Sequence, residues 1–219
     1  MRDGLTRILP FAGLALLAAG CAAPPVAPEF RAAEEPEIAA AVDREANLAA
    51  FAFCRGYGCG LRDLVGLDDA RQRGLRALFD PAPADAAAER AAVARAVALL
   101  EEAAGRVLGT WADQPRTPMR LGDPTQLDCV DESINTSTAL HLFQRQGWLK
   151  WHEPAHPARR YAFLGFGVHF TAVLVERANG RAWAVDSWFH ANGVSAEVAE
   201  LERWRAGWQP EKAKLTNSP

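Results

Sequence analysis

The sequence predicts an α+β domain, with a helical N-terminal part followed by a cysteine-bearing helix packed on a small antiparallel sheet. Three observations predict it. In an alanine-rich run from about Asp85 to Leu108, Val93, Val97, Leu100 and Ala104 recur at helical spacing and give one apolar face. Asp128, an N-cap residue type, precedes a run that ends ahead of Gly147, a suitable residue just past a helix end. The runs G-V-H-F-T-A-V-L-V-E-R (167–177) and R-A-W-A-V-D-S-W-F (181–189) read as strands, with the hairpin signal Asn-Gly between them.

The remaining elements follow in order. The chain has 219 residues, 49% hydrophobic, which is enough for one domain with a sizeable core. Arg2 and Arg7 precede an apolar stretch at 8–19, the length of a signal-peptide core and too short to span a bilayer as a helix. We expect a leader over 1–20, a flexible tether over 21–44 rich in Ala, Pro and Glu, a single domain over 45–210, and a tail over 211–219. Asp68 or Asp69 caps a short helix to Phe79, and D-P-A-P-A at 80–84 breaks it. Residues 109–126, with Pro115, Pro118 and Pro124, are expected as loop. R-Y-A-F-L-G-F (160–166) is expected as a further strand, and Val198–Ala206 as a short helix carrying Leu201 and Trp204. A net charge of -3 with no basic stripe argues against a nucleic-acid partner.

The leader ends in L-A-A-G-C, which resembles the lipobox of bacterial lipoproteins. The resemblance implies acylation of Cys21 and a membrane partner held through lipid. Ala22, where an Asp would direct inner-membrane retention, implies the outer membrane, facing the periplasm. That compartment is oxidising, so paired cysteines persist as disulfides. Cys54 and Cys59 in C-R-G-Y-G-C can close as one, because Gly56 and Gly58 allow a tight backbone; a free pair and half of a metal site are the alternatives. Cys129 is then left without a sulfur partner, as a reactive thiol or a buried inert one.

Cys129 at a helix start, His169 on one strand and Asp186 on the next supply the parts of a cysteine nucleophile site. The thiolate attacks, the histidine moves its proton, and a third polar group fixes the ring. Their order and their helix–strand–strand setting resemble the papain-like fold, specifically its transglutaminase-like branch, and D-C-V-D is similar to the cysteine region of bacterial transglutaminase-like proteinases. No tryptophan directly precedes Cys129, as it does in many transglutaminases. The resemblance implies Cys129 as nucleophile, His169 as base and acid, and Asp186 as orienter. The reaction would be amide acyl transfer through a thioester, by hydrolysis or transamidation, with peptide or cell-wall-linked substrates. By loose analogy with the papain-like glutamine, Gln126 is the oxyanion candidate, set against a solvated loop residue. The alternative function is a binding or scaffolding lipoprotein that keeps the fold without turnover.

The nearby acids cut against a thiolate. Asp128 and Asp131 resemble a capping box, and with Glu132 they disfavour negative charge on sulfur. A calcium site on these three acids is an alternative to helix capping. No cofactor and no resident metal are expected; H-E-P-A-H at 152–156 has histidines four apart, but Pro154 forbids the zinc-protease helix. The strand register matters most. A two-residue Asn179-Gly180 turn would set His169 and Asp186 on one face but roughly 13 Å apart along the strand. We therefore expect a longer loop, about 176–179, or a bulge that brings the two into direct opposition.

Overall fold

The computed structural model describes residues 36–117, 123–161 and 168–211. The leader and Cys21 lie outside these residues, as do 162–166 of the expected strand and all but the first residue of the tail. The fold is α+β. It comprises α1 (Pro36–Ala41), β1 (Phe51–Arg55), β2 (Leu61–Val65), α2 (Asp69–Ala77), α3 (Ala86–Leu108), a 3₁₀ turn (Thr110–Ala112) and α4 (Cys129–Arg145). Then come β3 (His152–Tyr161), β4 (Val168–Glu176), β5 (Ala182–Asp186), β6 (Glu197–Glu200) and α5 (Leu201–Arg205). β1 and β2 form a separate hairpin, and β3-β4-β5-β6 form an antiparallel sheet in chain order. Among the described residues no helix is long and apolar enough to cross a membrane.

The two long helices start and stop where local chemistry dictates. Asp85 caps α3 by accepting the Ala88 N–H, and Gly109, at φ 83°, ends it in the left-handed conformation a Cβ disfavours. Asp128 caps α4 by accepting the Val130 and Asp131 N–H groups, and Asp131 returns the bond to the Asp128 N–H, closing the capping box. These helices cover one face of the sheet. Val93, Val97 and Leu100 of α3 pack with Leu140, Leu142 and Phe143 of α4 and with Ala172, Leu174 and Val185 of the sheet. The opposite face carries Val173, Val175, Ala182 and Ala184 against Leu201 and Trp204 of α5. β4 is thus apolar on both faces, so its run A-V-L-V is continuous rather than alternating.

α4 is the unusual element. Asp131 to Leu140 are buried without a break, although most of them are polar. Buried polar groups need partners, and α4 finds them in distant segments. Thr138 Oγ1 accepts the Asp43 N–H at 3.0 Å. Asn135 takes the Cys54 N–H at 2.6 Å and donates to the Cys54 carbonyl at 2.8 Å. Asp131 and Glu132 engage the β1–β2 loop and the end of β5, as described below.

Several expectations need correction. The tether does not extend to 44: α1 is ordered, Ala39 and Val42 are buried, and Asp43 accepts the Ala52 N–H as well as donating to α4. The β1–β2 hairpin was not anticipated, because its turn is the C-R-G-Y-G-C segment rather than a common two-residue signal. β3 begins at His152, eight residues before the expected strand. It holds Pro154 and Pro157 because it is an edge strand with a bulge between Ala155 and Ala158. Its start is anchored by Glu89 of α3, which accepts the N–H groups of Lys150, Trp151 and His152 and pairs with the His152 ring at 2.9 Å. The expected strand 181–189 stops at Asp186, and 198–206 splits into β6 and α5. Finally, the hairpin register is Val175↔Ala182 through Ala172↔Val185. Glu176 accepts the Gly180 N–H and donates to the Arg181 carbonyl, so the reversal spans 177–180. His169 and Asp186 are therefore neither four residues apart nor directly opposed. Asp186 lies level with Thr171, two residues along from His169 on the same face.

Candidate functional site

Two residues of offset are within reach of a histidine side chain. His169 Nε2 lies 2.7 Å from Asp186 Oδ2. The same carboxylate oxygen accepts the Trp204 indole N–H at 2.7 Å. With Asp186 receiving at Oδ2, the proton of the His169–Asp186 bond belongs to Nε2, and Nδ1 is left as the basic nitrogen. His169 Nδ1 is buried and has no hydrogen-bond partner among the described residues. Aromatic rings enclose the imidazole: Trp188, Trp204 and Phe189 have centroids 4.5, 5.4 and 5.6 Å from it. They hold its plane and exclude water from it. Trp188 is itself fixed by donating to the Thr117 carbonyl at 3.3 Å. Arg160, level with His169 on β3, donates to the Trp204 and Trp208 carbonyls and lies over the Trp204 ring.

Cys129 is the first residue of α4 and the free cysteine among the described residues. Its Sγ lies 3.6 Å from the Val168 carbonyl, and the Phe170 N–H also acts on it. The sulfur is therefore set against the backbone on both sides of His169. Burial pushes the thiol up to about 12, and the charges of Asp128 and Asp186 add to the effect, while the N–H groups of Phe170 and Cys129 oppose it. At rest Cys129 is a protonated thiol.

The acids beside it are occupied by the disulfide loop. Cys54 and Cys59 are bonded, with Cα atoms 4.6 Å apart. Between them Gly56, Tyr57, Gly58 and Cys59 all have positive φ, from 59° to 79°. Successive left-handed residues turn their N–H groups to one side. Asp131 accepts those of Tyr57 and Cys59 at 2.8 and 2.7 Å, and Asp128 accepts that of Gly58 at 3.1 Å. The calcium alternative loses its ligands to these bonds, since a cation would have to displace backbone donors. Burial and the neighbouring Asp128 charge push Asp131 up to about 6, against the pull of the three N–H groups it accepts.

Gln126 is buried rather than solvated. Its Nε2 donates to the Ala112 carbonyl at 2.9 Å, and its Oε1 accepts from the Gln114 N–H and the Thr117 hydroxyl. It clasps the 112–117 loop with both ends of its amide, so it is not free to act as an oxyanion donor; the backbone N–H of Cys129, at the helix start, is the remaining candidate.

Sequence reasoning missed three parts of this site: Trp204, the ring enclosure by Trp188, and a polar link from β5 to α4. In that link the Ser187 hydroxyl donates to Glu132 Oε2 and lies 3.2 Å from Thr136 Oγ1. Strand alternation in V-D-S was the available signal, because it sends Asp186 and Ser187 to opposite faces. Compared with known proteins, the chain matches no family model, no curated protein and no solved structure.

Proposed function

We propose that the protein is a cysteine acyl-transfer enzyme, with Cys129 as nucleophile, His169 as base and acid, and Asp186 as orienter. One observation carries the reading: Asp186 takes His169 Nε2, while Nδ1 of the same ring is buried without a partner and the only free thiol of the described residues sits against the His169 backbone. A buried, unpaired ring nitrogen is costly unless it has a use.

The thiol's high proton affinity decides how the chemistry runs. Cys129 does not wait as a thiolate. As Sγ bonds to the carbonyl carbon of an amide or ester, its proton passes to His169 Nδ1, and Asp186 stabilises the resulting imidazolium. The Cys129 N–H faces the developing oxyanion. Collapse expels the amine or alcohol with the proton from Nδ1, leaving a thioester that water or a second amine resolves. The resemblance to the transglutaminase-like branch and the lipid anchor expected at Cys21 support this reading, with the substrate proposed among amides of the cell envelope.

The elevated thiol favours a second reading, a non-catalytic binding protein on the same frame. Acylation by an activated ester separates the two. Mass spectrometry should locate an acyl group on Cys129, formed roughly 100-fold faster in the wild type than in His169→Ala. Equal rates in the two proteins would sink the enzyme reading and leave the binding one.

A further inference from the structure

Glu132 is a carboxyl with no evident structural reason to be there. It is buried on the core side of α4, one turn after Cys129, where a leucine would cost less to bury. Its Oε2 accepts the Ser187 hydroxyl, and Thr136, one further turn along α4, flanks the same hydroxyl at 3.2 Å. Ser187 directly follows Asp186. The two side chains leave the strand on opposite faces, Asp186 to His169 and Trp204, Ser187 to α4. The backbone between them is therefore pegged from both sides, at the point where β5 ends, its pairing with β4 has stopped at Val185 and only β6 still pairs with Asp186.

We propose that Glu132 is a positioning residue: through Ser187 it fixes the end of β5 against the helix that carries Cys129, and so sets the Asp186–His169 pair relative to the sulfur. The proposal rests on the acyl-transfer reading for its consequence, but the geometry it invokes can be measured without turnover. Both ends of the reacting set then belong to one rigid unit. Cys129 and Glu132 are three residues apart on one helix, and Asp186 and Ser187 are adjacent on one strand. An error of about 1 Å between nucleophile and base costs on the order of 100-fold in rate, which makes such a strut worth a buried carboxyl.

The surroundings of Glu132 fit this role. Burial and the charges of Glu101 and Asp113 push Glu132 well above the usual carboxylate range. Glu101 of α3 faces Glu132 and Ser187, and Glu101 Oε1 has no hydrogen-bond partner among the described residues. Glu101 in turn accepts the Gly193 N–H at 3.3 Å, which ties in the loop after β5. Glutamine at 132 is near-isosteric and keeps an oxygen to accept the Ser187 hydroxyl, whereas leucine keeps the volume and removes the acceptor.

The test compares Ser187→Ala, Glu132→Leu and Glu132→Gln with the wild type by two readouts. One is the downfield proton resonance of the His169 Nε2–H···Asp186 bond and its pH range; the other is the rate of Cys129 acylation by an activated ester. Ser187→Ala and Glu132→Leu should shift or broaden the resonance and slow acylation by on the order of tenfold to 100-fold, while Glu132→Gln keeps both. Ser187→Ala removes one oxygen and serves if Glu132→Leu fails to fold. An unchanged His169 resonance in Ser187→Ala, even with lowered thermal stability, would overturn the proposal, as would Glu132→Gln behaving like Glu132→Leu. If the wild type acylates no faster than His169→Ala, the enzyme reading has failed, and the resonance alone still decides whether Glu132 positions the pair.

Discussion

At the residue scale, Asp128 has two opposed effects. Its carboxylate caps α4 through the Val130 and Asp131 N–H groups, and its charge raises the Cys129 thiol. The two separate by substitution. Asp128→Ala removes the cap and should lower stability by about 1 kcal/mol in urea denaturation. Asp128→Asn keeps a side-chain oxygen for the cap but removes the charge, so the thiol should titrate lower and be alkylated faster at a fixed alkaline pH. An alkylation rate in Asp128→Asn no higher than in the wild type would show that the aspartate charge does not reach the sulfur. Asp186 is different, because its charge also raises the thiol but its carboxylate holds the His169 ring and, in the proposed mechanism, stabilises its cation.

At the scale of elements, α4 is organised by what it holds rather than by an apolar stripe. Its polar positions reach back to Asp43 and Cys54, sideways to the disulfide loop, and across to Ser187. The disulfide loop is the least self-sufficient of these segments. Tyr57 and Cys59 are non-glycine residues at φ 70° and 59°, a conformation that costs energy for residues with a Cβ. The disulfide and the Asp128 and Asp131 carboxylates hold them there. Cys54→Ser with Cys59→Ser should destabilise the domain by about 2 kcal/mol, the loop-closure contribution for so short a ring. Hydrogen exchange should accelerate first at the Tyr57, Gly58 and Cys59 amides and then at the first turn of α4. Exchange in that turn as slow as in the wild type would mean that the capping box stands without the loop.

For the whole molecule, the acids buried between α3, α4 and the loop after Gly109 set the pH response. Burial pushes Glu101 and Asp113 each up to about 7, and Asp131 up to about 6. All three bind protons more tightly folded than unfolded. Their stabilising contribution is fully present below their unfolded values near 4 and is lost as pH rises through about 6 to 7. Glu89 runs the other way. Burial would raise it, but the bonds from His152, Lys150 and Trp151 hold it low, so its contribution is lost as pH falls. The melting temperature should therefore be higher at about pH 5 than at about pH 8. Glu101→Gln should flatten part of that slope and raise the value at the alkaline end. A wild-type melting temperature that climbs from about pH 5 to about pH 8 would show that these acids are ionised throughout.

The sequence by itself determined what depends on near neighbours in the chain. The start of α4 at Asp128, the long α3 with its apolar face, the α+β class and the closeness of Cys54 to Cys59 all follow from interactions across a few residues. The shared face of His169 and Asp186 follows from strand alternation. Only the tertiary structure decided their offset, because it depends on the four-residue reversal at 177–180 rather than on the Asn-Gly pair alone. The β1–β2 hairpin and the early start of β3 were equally hidden: one turns on an unusual left-handed loop, and the other is held by Glu89, more than 60 residues away. The link from Glu132 to Ser187 spans 55 residues, and nothing in a helix full of Ser, Thr, Asn and Glu distinguishes a buried polar side chain from a solvated one. Local bonds repeat at spacings that a sequence displays; long-range polar pairs do not, since each is specified once, by the packing that brings its two ends together.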